Sequence, residues 1–222
     1  MAAEAVQYPI SLAVEDYLPV LLTVAGVLLL RRALPGRPGI GVAAALIGAG
    51  GFAKATAKFI AAADGPELPW LRDLLFPLLT LGFGVLCLVV GGAREGRVPR
   101  WLAYLVPGLT ALCAVGALLA RDPIPMLVST TVFATLTGIY LIAMARARGD
   151  GRTAALFGAQ LLVFFLLGPL ASRPDQTVAL QWVEQLCNTT AQVAFCVAAW
   201  RLSSGRATVD DQVVADDEAG LR

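Results

Sequence analysis

Long apolar runs recur along this chain, among them 18–30, 74–93, 102–120 and 153–171, each free of charged residues. A helix of roughly 18 or more such residues can cross a hydrocarbon core about 30 Å thick. Hydrophobic residues make up 58% of the chain and charged residues 15%, where soluble domains run near half and a quarter. The runs therefore predict an all-α, polytopic integral membrane protein with little chain left over for a water-facing domain.

Spans are expected at about 17–34, 39–62, 74–93, 101–120, 124–145, 153–172 and 178–201. The breaks between them are rich in proline and glycine, as in RRALPGRPG, ADGPELPW and GGAREGRVPR, and shorter turns follow at RDPIP, ARARGDGR and SRPDQT. Arginine placement tests the count independently. Alternate connections carry Arg31, Arg32, Arg37, Arg94, Arg97, Arg100, Arg146, Arg148 and Arg152, and the tail adds Arg201, Arg206 and Arg222. The opposite side holds Arg72, Arg121 and Arg173, a ratio of twelve to three. Such a positive-inside bias predicts seven transmembrane helices, the N-terminus outside and the C-terminus cytoplasmic, in a cell (plasma or inner) membrane. The first residues carry Glu4, Glu15 and Asp16 and no basic stretch, so the first run reads as a retained span rather than a cleavable signal. Residues 1–202 form the expected seven-helix domain. The polar, acidic residues 203–222 are expected to be a disordered cytoplasmic tail.

A weak internal repeat runs through the spans. EDYLPVLL at 15–22 resembles RDPIPMLV at 121–128, with Asp, Pro and Leu in register. PWLRDLLFPLLTLGFGV at 69–85 resembles QWVEQLCNTTAQVAFCV at 181–197 in Trp, Leu, Phe and Val. The pairing predicts a 3+1+3 parallel repeat, spans one to three matching spans five to seven with span four as the link. That plan resembles the architecture of the SWEET sugar transporters and their PQ-loop relatives, which implies a solute site where the halves meet. The resemblance is one of architecture, since no Pro-Gln pair stands in span one or five. Seven spans with an external N-terminus are also similar to the plan of rhodopsins and receptors. Here, however, span seven has no lysine to hold retinal, and no Asp-Arg-Tyr follows span three.

The chain has only two lysines, Lys54 and Lys58, and both fall in span two on one helix face. An ionisable group within a membrane costs roughly 2.5–3.5 kcal/mol even on an insertion scale, so something must offset it. Lys58 lies near the end of its span and can snorkel to the headgroups. Lys54 lies about one turn, roughly 6 Å, further in. Gly48, Gly50 and Gly51 just before it would let neighbouring helices approach closely.

Span seven supplies the second polar feature. Gln181, Gln185, Asn188 and Gln192 recur at spacings of four, three and four, which is one stripe of a helix, and Glu184 flanks it. Amides in hydrocarbon need partners, so the stripe either joins helices or lines a cavity. Four amides and a carboxylate exceed what joining requires, and a cavity is the favoured reading. Thr131 and Thr135 of span five share one face that could join that wall, Thr130 and Thr137 another, and Gln160 in span six is a further candidate. Depth puts Glu184 level with Lys54 in the outer halves of antiparallel spans, and the two are expected to pair.

Catalytic patterns are lacking: there is no HExxH, no GxSxG and no Gly-Lys-Ser phosphate loop, and the sequence leans against an enzyme. Histidine is absent, and Cys87, Cys113, Cys187 and Cys196 form no CxxC pair, so neither a metal nor another cofactor is expected. A net charge of +1 and short loops speak against nucleic acid. The expected partners are the lipid bilayer, a small polar or charged solute, and either a second copy or a partner subunit. The resulting expectation is a transporter or permeation protein with its site between spans two, five and seven. The alternative is a receptor, sensor or accessory subunit of the same build.

Overall fold

Proline, glycine and arginine set the helix ends in the computed structural model, which describes residues 9–171 and 177–220, with side chains described outside 168–171 and 206–220. The helices are α1 (Ile10–Glu15), α2 (Tyr17–Ala33), α3 (Gly39–Ala62), α4 (Pro69–Asp73), α5 (Leu75–Arg94), α6 (Arg100–Ala120), α7 (Ile124–Ala147), α8 (Gly151–Ala171) and α9 (Val178–Gly220). Among the described residues there is no strand. Gly36, Gly96 and Gly149 turn the chain with positive φ after α2, α5 and α7. Asp122 Oδ1 accepts the Ile124 N–H at 2.8 Å in the tight turn between α6 and α7.

Among the described residues five helical stretches are long and apolar enough to cross a membrane: Ile10–Ala33, Pro69–Arg94, α3, α6 and α7. The chain is thus all-helical and built as a membrane-embedded protein is. α8 is apolar too, over its described residues Gly151–Leu167. In α9 the amides and Glu184 offset the apolar residues around them. α9 runs on as helix to Gly220. No proline interrupts that stretch, and extending a formed helix needs no new nucleus.

Packing arranges six helices in a closed ring, in the order α2, α3, α5, α7, α8, α9 and back to α2. Short connections make successive helices antiparallel. By contrast α5 and α7, joined through the whole of α6, run parallel, as do α9 and α2. α6 stands outside the ring against α5 and α7. It buries only Leu102, Val106 and Cys113, and leaves Tyr104, Leu112, Leu118 and Leu119 exposed.

Glycine permits the close approaches. A methyl at Gly82 of α5 would lie 3.0 Å from the Ile47 nitrogen and 3.2 Å from the Ala43 oxygen of α3. The glycines singled out on α3 are also at contacts, Gly48 and Gly51 against Val24 and Val20 of α2, and Gly50 against Leu75 and Leu78. Between helices that are all apolar, such packing replaces the hydrophobic drive of a water-soluble core.

The ring is solid at one end and hollow at the other. Towards the arginine-bearing ends of the helices, a core of Val27, Leu30, Ile40, Val90, Leu141, Phe157, Ala198 and Leu202 fills the centre. Arginines tie the adjoining chain segments: Arg37 Nη2 donates to the Gly92 carbonyl at 3.2 Å and Arg148 Nη1 to the Leu202 carbonyl at 2.6 Å. Arg201 reaches Thr153 and Asp150 at the start of α8. Towards the end that bears Asp16, the centre opens into a cavity.

Candidate functional site

The cavity has a volume of about 340 Å³ and is walled by all six ring helices and by no residue of α6. Along α5 its wall runs from Leu75 to Leu86, a depth of roughly 16 Å at 1.5 Å per residue. Its lower boundary, at Leu86, Leu141 and Phe195, is the top of the solid core. Most of the wall is apolar, with Phe76 and Phe83 from α5, Phe164 from α8 and Phe195 from α9. The polar remainder is Asp16, Thr23, Lys54, Thr130, Thr137, Gln160, Gln185, Asn188 and Gln192. Mainly apolar concave walls with a few convergent polar groups are the usual make-up of a small-molecule site.

Lys54 is the central charged group. Its side chain keeps a large accessible surface, and that surface is cavity wall. Among the described residues no carboxylate lies within ion-pair distance of it. The charges acting on it from further away are Asp16 and Lys58. Lys58, one turn along α3, has the opposite fate: its Nζ lies 2.7 Å from Asp16 Oδ2, and it lines no part of the cavity.

The amides divide in the same manner. Gln185, Asn188 and Gln192 stand in the wall, as does Gln160 of α8. Thr23 Oγ1 lies 2.7 Å from the Pro19 carbonyl and 2.9 Å from Gln192 Oε1, a shared hydroxyl that joins α2 to α9. Gln181, at the head of the stripe, lies outside the cavity, and its Oε1 is buried without a hydrogen bond. Glu184 also lies outside the wall, and the carboxylate acting on Lys54 is Asp16. The expected Lys54–Glu184 pair is therefore not made. Equal depth on two helices does not fix rotation, and α9 turns Gln185 and Asn188 inward, leaving Glu184 beside them on the flank.

Rotation also decides the threonines. Thr131 and Thr135 do not reach the cavity; each hydroxyl donates to the carbonyl one turn back, at 2.8 and 2.7 Å. The face of α7 that turns inward carries Thr130, Ala134, Thr137, Gly138 and Leu141. Thr130 is also part of a buried hydroxyl cluster, with Thr80 Oγ1 of α5 at 2.8 Å, 3.1 Å from Ser129 Oγ and donating to the Met126 carbonyl at 2.9 Å. This cluster holds the parallel pair α5 and α7 together.

Sequence reasoning gave no functional part to Glu15. It stands at the end of α1, where one carboxylate oxygen accepts the Thr189 hydroxyl of α9 and the other is buried without a hydrogen bond. The signal was its place beside Asp16 at the head of a span. Arg72 and Asp73 form an exposed 3.6 Å pair away from the cavity. Among the described residues no group of three or more metal-ligating side chains comes together.

No protein-family model matches this chain, and no curated protein or solved structure matches it significantly.

Proposed function

We propose that this chain is a seven-span protein of the cell membrane that binds a small polar or charged solute in the ring cavity and carries it across. The observation that supports this reading most is a single cavity walled by six helices, with Lys54 and the amides of α9 on its wall. A lysine and several amides in the middle of apolar helices are expensive unless they serve a ligand or water. Seven spans, with the N-terminus outside and the C-terminus in the cytoplasm, follow from the arginine distribution. In that orientation the cavity opens outward, and the packed core from Val27 to Leu202 closes the cytoplasmic side. The arrangement is that of an outward-facing carrier.

The ring order supports the 3+1+3 repeat. Helices α2, α3 and α5 form one arc and α7, α8 and α9 the other, with α6 outside as the link. Two parallel arcs that rock about a shared central site provide a route for alternating access. The packed cytoplasmic side also favours a second reading, a receptor or accessory subunit that binds in the same cavity without passage.

Two experiments test the proposal. In a cysteine-free background, Asn188→Cys should react with an impermeant thiol reagent added from outside, and Phe157→Cys in the packed core should not. Equal protection of both positions would rule out an outward-open cavity. Proteoliposomes should then exchange a labelled solute across the membrane in counterflow, surveyed over organic anions, cations and zwitterions. Binding without exchange would favour the receptor reading.

A further inference from the structure

We infer that the ligand of this cavity is a small organic anion, a single carboxylate on an apolar body, with Lys54 as its counter-ion. The inference rests on the reading of the cavity as a solute site and adds the chemical class of the solute.

Charge accounting at the open end carries the argument. Of the described residues Glu15, Asp16, Lys54 and Lys58, all but Lys54 are engaged by a protein partner. Asp16 and Lys58 form the 2.7 Å ion pair. Glu15 accepts the Thr189 hydroxyl from α9 and lines no part of the cavity. Lys54 remains, on the cavity wall and without a paired carboxylate among the described residues. An ammonium in such surroundings is unfavourable until an anion meets it. A solute carboxylate supplies that anion.

Groups lining the rest of the cavity narrow the class. Gln160, Gln185 and Asn188, on the same wall, each carry an amide NH2 that can donate to a solute's oxygens. Among the described residues the acidic side chain on the wall is Asp16, and it is occupied by Lys58. A cationic solute, or the ammonium of an amino acid, would therefore have to displace Lys58 from Asp16 to find a partner. Phe76, Phe83 and Phe164 offer apolar surface for the body of the solute. A volume of about 340 Å³ accommodates a body the size of one aromatic ring or a short alkyl chain.

The test compares three probes of one size and shape: benzoate, benzamide and benzylamine. Binding of each to the purified full-length protein in detergent or nanodiscs is measured by calorimetry and by the shift in unfolding temperature. Benzoate is expected to bind at least about tenfold more tightly than either of the others, the factor a charge-assisted hydrogen bond supplies. That ranking needs no variant and stands whether or not a substituted protein folds. Lys54→Gln should remove the preference for benzoate, Lys54→Arg should retain it, and Thr135→Val, which lies outside the cavity, should leave it unchanged. Equal or tighter binding of benzamide or benzylamine, no binding of benzoate, or an undiminished preference in folded Lys54→Gln would each overturn the inference. Benzoate binding that depends on Lys54, with no benzoate flux in proteoliposomes, would uphold the inference and sink the transport reading. Flux of a cation or neutral solute that is indifferent to Lys54 would do the reverse.

Discussion

Lys58 Nζ lies 2.7 Å from Asp16 Oδ2, and this pair joins α3 to the junction of α1 and α2 at the mouth of the ring. The side chains retain 24% and 12% of their accessible surface, so the pair is mostly but not wholly desolvated. A double-mutant cycle of Lys58→Gln and Asp16→Asn should show coupling of about 1–3 kcal/mol in thermal unfolding. That is below the 3–5 kcal/mol of a fully buried pair because water still screens it. Strict additivity would mean that the pair contributes nothing to closing the ring.

Lys54 and Glu184 should behave in the opposite way. Glu184 lies off the cavity wall and Asp16 is the carboxylate that acts on Lys54. Lys54→Met and Glu184→Gln are therefore expected to be additive within roughly 0.5 kcal/mol. A larger coupling in the same unfolding measurement would require α9 to rotate from its place in the ring.

Glycine packing gives a test that needs no ligand. At Gly82 an added methyl would lie 2.6 Å from Ile47 Cγ1 and 3.0 Å from the Ile47 nitrogen, where backbone cannot yield easily. Gly82→Ala should destabilise the protein by about 1–3 kcal/mol. Gly108→Ala, on α6 with nothing within 4 Å of the new methyl, should be neutral or slightly stabilising. Similar melting temperatures for the two variants would remove close α3–α5 packing as a source of stability.

Helices were legible because apolar runs and proline-glycine breaks are local signals, and each of the seven runs is occupied by a helix. Part of the cavity's polar lining was legible too. Charge inside an apolar helix marked Lys54, and helical spacings of three and four marked Gln185, Asn188 and Gln192, which share one cavity. Rotation about each helix axis was not legible. It depends on which neighbour packs where, and the ring order is a property of the whole bundle. That is why Thr131 and Thr135 were chosen over Thr130 and Thr137, and why Glu184 was matched with Lys54 instead of Asp16. The hydroxyl cluster around Thr80 was missed for the same reason, since threonine in a span gives no sign of whether it bonds its own helix or another.

Orientation can be tested by fusion. A reporter active only in the cytoplasm should work when fused after Arg206 and stay silent after Asp64, as twelve arginines against three require. Activity at both positions would overturn the odd number of spans, and with it the outward opening of the cavity.

Acid should weaken the arginine-rich end of the bundle first, through Asp150. Its Oδ1 accepts the Thr153 N–H at 3.0 Å as the N-terminal cap of α8, and Oδ2 accepts the Thr153 hydroxyl. Arg201 Nη2 of α9 stands 3.3 Å from Oδ2. Hydrogen bonds from the Thr153 hydroxyl and backbone hold the Asp150 carboxyl below the usual carboxylate range; desolvation opposes them and Arg201 acts with them. A carboxyl whose folded pKa is lowered stabilises the fold fully above its unfolded pKa, near 4, and loses that contribution as pH falls through the folded value. Asp150→Ala should cost about 1 kcal/mol at neutral pH, the usual effect of losing such a cap. Asp150→Asn should melt below the wild type at neutral pH, and the gap should close as pH falls from about 5 to about 2. A gap that stays constant over that range would mean the carboxylate's charge has no part in joining α8 to α9.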